Sequence, residues 1–206
     1  MAAQENGVRD IKDWCDRMSG NFKALTNALN VQPTRFIRTT DADHVEAVRH
    51  IWKILLNKGD IYRGKHGGWY SVSDETFYPT HAILEVDGRK ISKETGKTVE
   101  WVEEENFMFR LSNYRERILA WLQSKIIHPE SRANDLWDYI HDPAHFVDIS
   151  VSRKTLSAKW GINVPDDSTQ VIYVWLDALT NYLTVSGYPE NNVVPDVHVI
   201  GKDILK

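Results

Sequence analysis

Four residues, Trp175, Ala178, Leu179 and Tyr182, stand at i, i+3, i+4 and i+7, the spacing of one helix face. An apolar, half-aromatic face of this kind either joins a hydrophobic core or lines a pocket for an apolar ligand. The preceding run, Val171-Ile172-Tyr173-Val174, is short, apolar and β-branched, and the polar turn Pro165 to Ser168 bounds it upstream. That is the look of a strand covered on both faces. A strand feeding straight into a helix brings the stripe to the carboxyl end of an α/β sheet, where ligands sit.

A second candidate follows Val197-His198-Val199-Ile200, which reads as another buried strand ending in Gly201-Lys202-Asp203. At such a point a glycine backbone can approach a nucleotide and a carboxylate can accept hydrogen bonds from ribose hydroxyls. A plain turn fits the same three residues. It is not a P-loop, since the GxxxxGK[ST] spacing is absent. Arg153 is either a charge-assisted donor to phosphates or half of a surface ion pair. Glu103-Glu104-Glu105 reads as a solvated turn, and His44, near a helix start, as a solvated side chain.

Composition narrows the setting. With 206 residues, 42% of them hydrophobic, and eight Trp beside eight Tyr, the chain buries a substantial core and disorder is excluded. A net charge of −4 gives no basic footprint for gripping nucleic acid tightly. The single cysteine, Cys15, excludes an intrachain disulfide and any multi-cysteine zinc site, and reads as a packed thiol. No apolar run is long enough to span a bilayer, and Met1 to Asp10 has no signal or transit character.

The elements that must position these residues follow from periodicity. Residues 10–29 read as a helix capped by Asp10, with a possible kink at Gly20, and Pro33 ends it. Arg35 to Thr39 reads as a strand. A helix follows, capped by Thr40 or Asp41, with Val45, Val48, Ile51, Trp52 and Leu55 inward and Gly59 at its end. From Asp60 the texture changes to short strands joined by glycine turns, at 61–64, 67–70 and 82–86, then Phe107 to Leu111. Ser112 caps a helix and Pro129 opens another. The α/β character returns after Asp148. The chain is thus an α/β protein with a partial Rossmann-like parallel sheet and a small α+β insertion, divided as 1–59, 60–147 and 148–206.

Several words of the sequence carry a resemblance. Ser150-Val151-Ser152-Arg153, Trp160-Gly161-Ile162-Asn163-Val164-Pro165, Val174-Trp175-Leu176-Asp177-Ala178-Leu179 and His198-Val199-Ile200-Gly201-Lys202-Asp203-Ile204-Leu205 occur in this order. Phe36-Ile37-Arg38-Thr39-Thr40, Gly68-Trp69-Tyr70 and Glu104-Glu105-Asn106-Phe107 precede them. Together they resemble the catalytic region of class I methionyl-tRNA synthetases, particularly the mitochondrial type, over almost the whole chain.

The resemblance implies ATP-dependent activation of L-methionine to methionyl-adenylate, with Mg2+ accompanying ATP, and transfer to tRNA(Met) in the mitochondrial matrix. It assigns Trp175, Ala178 and Tyr182 to the methionine pocket, with Leu179 where some relatives have proline. It assigns Gly201 and Asp203 to the ribose and adenosine of ATP and Arg153 to its phosphates. It makes residues 60–147 the connective peptide, where many relatives hold zinc through cysteine pairs. Here Ser71 and Asp74 stand at such positions, so no zinc is expected, and His66 and His81 read as surface histidines. Neither the HIGH nor the KMSKS motif occurs in the sequence. The expectation is therefore an incomplete catalytic region with little activity of its own; the alternative is a non-catalytic RNA- or protein-binding module.

Overall fold

The computed structural model describes residues 3, 6–74, 76–78, 80–142, 146–154, 160–191, 193–201, 204 and 205. The chain divides into two compact units, Met1–Asp41 and Ala42–Lys206.

The first unit is built on helix α1 (Ile11–Ala28), started as expected by Asp10, whose carboxylate accepts from the Lys12 amide at 2.8 Å. The helix runs unbroken through Gly20. Lys12 pairs with Asp16 one turn on, at 2.7 Å, and Arg38 donates to the other oxygen of Asp16. Cys15 is only half-buried, and α1 has no fully buried residue. The strand expected at Arg35–Thr39 does not form among the described residues. The Arg38 amide instead donates to the Asp41 side chain at 3.0 Å, while the Asp41 amide donates back to the Arg38 carbonyl at 3.0 Å. A carboxylate that closes a turn here takes the backbone group a ladder would have used.

In the second unit, helix α2 (Ala42–Asn57) buries Ala47, Val48 and Trp52 and stops before Gly59, the expected terminator. Strand β1 (Ile61–Ser71) pairs antiparallel with β5 (Glu100–Phe109) along its length, from Ile61 opposite Phe109 to Tyr70 opposite Glu100. β2 (Thr76–Tyr78) flanks β1 and β6 (Ile149–Ser150) flanks β5, giving the order β2-β1-β5-β6. β3 (Ile83–Val86) and β4 (Arg89–Ser92) form a hairpin closed by Asp87-Gly88, both at positive φ, as a tight hairpin turn requires. Helices α3 (Arg115–Leu122) and α4 (Glu130–His141) pack together over Leu119, Leu122, Leu136, Ile140 and Phe146. A last sheet, ordered β7-β9-β8, joins β7 (Ser152–Lys154), β9 (Asp167–Ile172) and β8 (Asn163–Val164) and hands over to helix α5 (Val174–Thr184).

Two expectations for this region change. The glycines of β1 do not break it into short strands. A Cβ on Gly68 would stand 2.8 Å from the Phe77 ring, so the glycine lets a cross-strand aromatic lie flat on an unbroken strand. Glu103 to Glu105 lie within β5 rather than in a turn, because their backbone pairs with Lys65 to Gly67 while Glu103 and Glu105 face solvent.

The α/β character is as read, but every ladder among the described strands is antiparallel. Val197–Ile200, read as a buried strand, has no ladder partner among the described residues and leaves Val199 89% exposed. The main core joins Val48 and Trp52 of α2 to Ile61, Phe107, Val151, Ile162, Val164 and Ile172. This cluster fixes α2, the long sheet and the β7-β9-β8 sheet as one scaffold beneath α5. Among the described residues no helix is long and apolar enough to cross a membrane.

Candidate active site

The strand-to-helix switch falls at Tyr173, whose extended backbone starts α5 and whose amide donates to the Val151 carbonyl at 2.8 Å. The helix then presents two unlike faces. Its inward side carries polar groups beside Leu176, which packs on the core: Thr180 and Thr184 are 3% and 1% exposed, and Asp177 turns inward beside them. Its open side is the apolar stripe, with Trp175 and Leu179 each 41% exposed and Ala178 and Tyr182 half-buried. An ordinary surface helix does the reverse.

The polar side of α5 is held by α2. His44 is fully buried, contrary to the solvated position expected from its place near a helix start. Its Nε2–H donates to the Asp177 carboxylate at 2.7 Å, and its Nδ1 lies 3.2 Å from Thr184 Oγ1. The signal was present in the sequence: the inward stripe of Val48, Ile51, Trp52 and Leu55, carried one turn back, lands on His44.

Arg153 is 7% exposed. That excludes the surface ion pair, and no carboxylate pairs with it among the described residues. Its guanidinium lies between the faces of Phe77 and Tyr173, 4.4 and 4.3 Å from their centroids, and donates to Ser150 Oγ at 3.2 Å. Ser150 Oγ also accepts from Asn106 at 3.2 Å and donates to the Ser152 carbonyl at 3.0 Å. Ser152 Oγ accepts from the Phe107 amide at 2.8 Å and donates to Gln170, whose amide reaches the Glu105 carbonyl at 3.1 Å. Buried polar groups linked in this way hold a single arrangement, with Asn106 Oδ1 finding no partner among the described residues. The network fixes a desolvated cation beside Tyr173, the residue that opens α5.

Gly201 is exposed, and a Cβ there would meet no atom within 4 Å. The segment leading to it touches the candidate helix: the rings of Tyr182 and His198 meet edge to face at 5.9 Å. Asp203 and Lys202 lie outside the described residues, as do residues 155–159 after Arg153 and the side chains of His66 and His81.

The family described as tRNA synthetases class I (M) matches residues 1–206. The chain belongs to the class I methionyl-tRNA synthetase family. It is 43% identical to the probable mitochondrial methionine–tRNA ligase of Neurospora crassa, over 96% of this chain and 34% of that protein. It is also 43% identical to the mitochondrial methionine–tRNA ligase of Bos taurus, over 93% of this chain and 34% of that one. A Mycobacterium tuberculosis methionyl-tRNA synthetase solved in complex with methionyl-adenylate superposes with a TM-score of 0.87 at 41% identity, over 99% of this chain and 41% of that one. The chain thus spans about a third of the length of the curated relatives it matches.

At Ser71 and Asp74, the positions at which the resemblance looks for zinc ligands, the chain holds a hydroxyl and a carboxylate. Asp74 accepts from Thr95 Oγ1 at 2.7 Å and from the Tyr78 hydroxyl at 3.0 Å, while Ser71 Oγ accepts from the Asp74 amide at 3.3 Å. Ser92 Oγ accepts from the amides of Glu94 and Thr95 at 3.2 and 3.3 Å. These residues do not fit zinc, which needs about four N or S donors in a structural site. The described residues contain no other group of metal-ligating side chains. Phe77 was invisible as a site residue in the sequence, since it lies in a three-residue strand nearly eighty residues from the arginine it covers.

Proposed function

We propose that this chain forms the methionine side of an adenylate-forming site, in which the carboxylate of L-methionine attacks the α-phosphate of ATP. The new oxygen–phosphorus bond replaces the bond to the β-phosphate bridging oxygen, so methionyl-adenylate forms and pyrophosphate leaves. Transfer of the methionyl group to tRNA(Met) follows. The observation that carries the reading is the inverted helix α5, which buries its threonines while Trp175 and Leu179 stay exposed beside half-buried Ala178 and Tyr182.

In this reading the stripe holds the methionine side chain. A thioether is polarisable and unbranched, and each sulfur–ring contact stabilises it by about 0.3–1.5 kcal/mol. Arg153 meets the phosphates. Stacked on two rings and without a carboxylate partner among the described residues, it keeps N–H edges for an incoming anion and has already lost its water. Gly201 and Asp203 take the ribose and adenosine, supported by the Tyr182–His198 contact that draws their segment to α5. Mg2+ arrives with ATP. Residues 60–147 serve as the connective peptide, and the named mitochondrial relatives support a mitochondrial matrix location.

The test is exchange of labelled pyrophosphate into ATP by the longest natural chain that carries this segment. Exchange that requires L-methionine, and that leucine does not support, is the expected result; exchange indifferent to methionine would overturn the proposal.

A further inference from the structure

The proposed pocket stands on one helix, so whatever sets the rotation of that helix sets the pocket. We propose that His44 and Asp177 form a clasp that fixes α5 in the rotation that binds methionine, making both of them positioning residues for amino-acid affinity. The inference rests on the functional reading above and adds a regulator of the same site.

The geometry is specific. Asp177 lies two residues after Trp175 and one before Ala178, so a constraint on its carboxylate is a constraint on both. His44 offers one ring nitrogen to Asp177 at 2.7 Å and the other to Thr184, two turns further along the same helix, at 3.2 Å. Two contacts separated along the axis stop both rotation and tilt, which one contact would not. The clasp joins segments 133 residues apart and is itself seated on the core through Trp52 of α2. An apolar α2–α5 contact would have packed as well without the cost of desolvating a carboxylate, but it would have tolerated sliding. Hydrogen-bonded polar pairs fix register at such a cost. The polar side of α5 and its open apolar side are therefore two halves of one device.

The experiment uses the longest natural chain carrying this segment and measures pyrophosphate exchange against methionine and ATP separately. The expected result for His44→Ala is a KM for methionine at least tenfold higher, with kcat and the KM for ATP within twofold of the parent. His44→Gln, which retains an N–H for Asp177, recovers most of the loss. Val48→Ala, chosen for its packing on the same helix, leaves the KM for methionine unmoved at a comparable loss of Tm. The clasp is refuted if His44→Ala behaves like Val48→Ala, or if both KM values rise together. Should His44→Ala not fold, Asp177→Ala, which removes the acceptor, carries the same prediction, and an unchanged KM for methionine there refutes it equally. A parent protein whose exchange ignores methionine would instead sink the functional reading, and this inference with it.

Discussion

At the scale of single residues, the site depends on side chains whose company contradicts their type. Arg153 is a buried cation with aromatic faces on both sides and a serine hydroxyl as its hydrogen-bond partner. Lysine cannot replace it, because a tetrahedral ammonium neither stacks on two rings nor presents a planar fork. Arg153→Lys is therefore expected to lower kcat/KM for ATP by tenfold or more in the exchange assay, with Tm reduced by only a few degrees. A lysine variant with full activity would return the arginine to a structural role. Trp175 is the converse case, a large apolar ring left 41% open on a helix whose threonines are buried. Its spacing was legible in the sequence, but the choice between core and pocket was not, because periodicity identifies a face without saying what lies opposite.

At the scale of elements, strand β2 reaches Arg153 through the ring of Phe77. Gly68 on β1 makes room for Phe77 on β2, and Phe77 covers Arg153. A methyl group at residue 68 would stand 2.8 Å from that ring and displace it from its place over the guanidinium. Gly68→Ala is expected to cost about 1–3 kcal/mol of stability through overpacking. It should also reduce exchange activity more than a change of equal stability cost on α4, which chemical denaturation and exchange assays together would reveal.

The same region is tied by Asp74. Donation from the Thr95 hydroxyl, helped by Ser71 and Tyr78, holds its carboxyl below the ordinary aspartate range, against a smaller upward push from burial. A carboxyl depressed by folding contributes stability above the unfolded value of about 4, and loses it as pH falls through the folded value. Thermal melts between neutral and acid pH should show this loss in the parent and a flatter acid limb in Asp74→Asn. Identical acid limbs would mean that the carboxylate does not tie the region.

At the scale of the whole molecule, the chain reads as a set of locally correct elements whose partners the sequence could not name. The caps and stops at Asp10, Gly59 and Asp87-Gly88 depend on neighbours within a few residues, and they were legible. Ladders depend on distant partners. Thus Val197–Ile200 had the composition of a buried strand yet pairs with nothing among the described residues, while acidic Glu103–Glu105 joined a ten-residue strand. For His44 the inward stripe is local and in the sequence, whereas its partner Asp177 lies across the fold. With a hydroxyl and a carboxylate instead of thiols at Ser71 and Asp74, elemental analysis of the purified protein should find far less than one zinc per chain. Stoichiometric zinc would contradict the hydrogen-bonded account of that region.

The proposed function turns on whether the open side of α5 receives the methionine side chain. NMR of methionine carrying a 13C label in its methyl group, bound to the longest natural chain with this segment, tests that directly. An S-methyl packed against the rings of Trp175 and Tyr182 should resonate upfield of the free amino acid. Trp175→Ala should remove most of that shift and weaken binding roughly tenfold, as expected for about 1.4 kcal/mol of lost ring contact, while Tm changes little. A bound methyl at its free position, or one that Trp175→Ala leaves unmoved, would contradict the account.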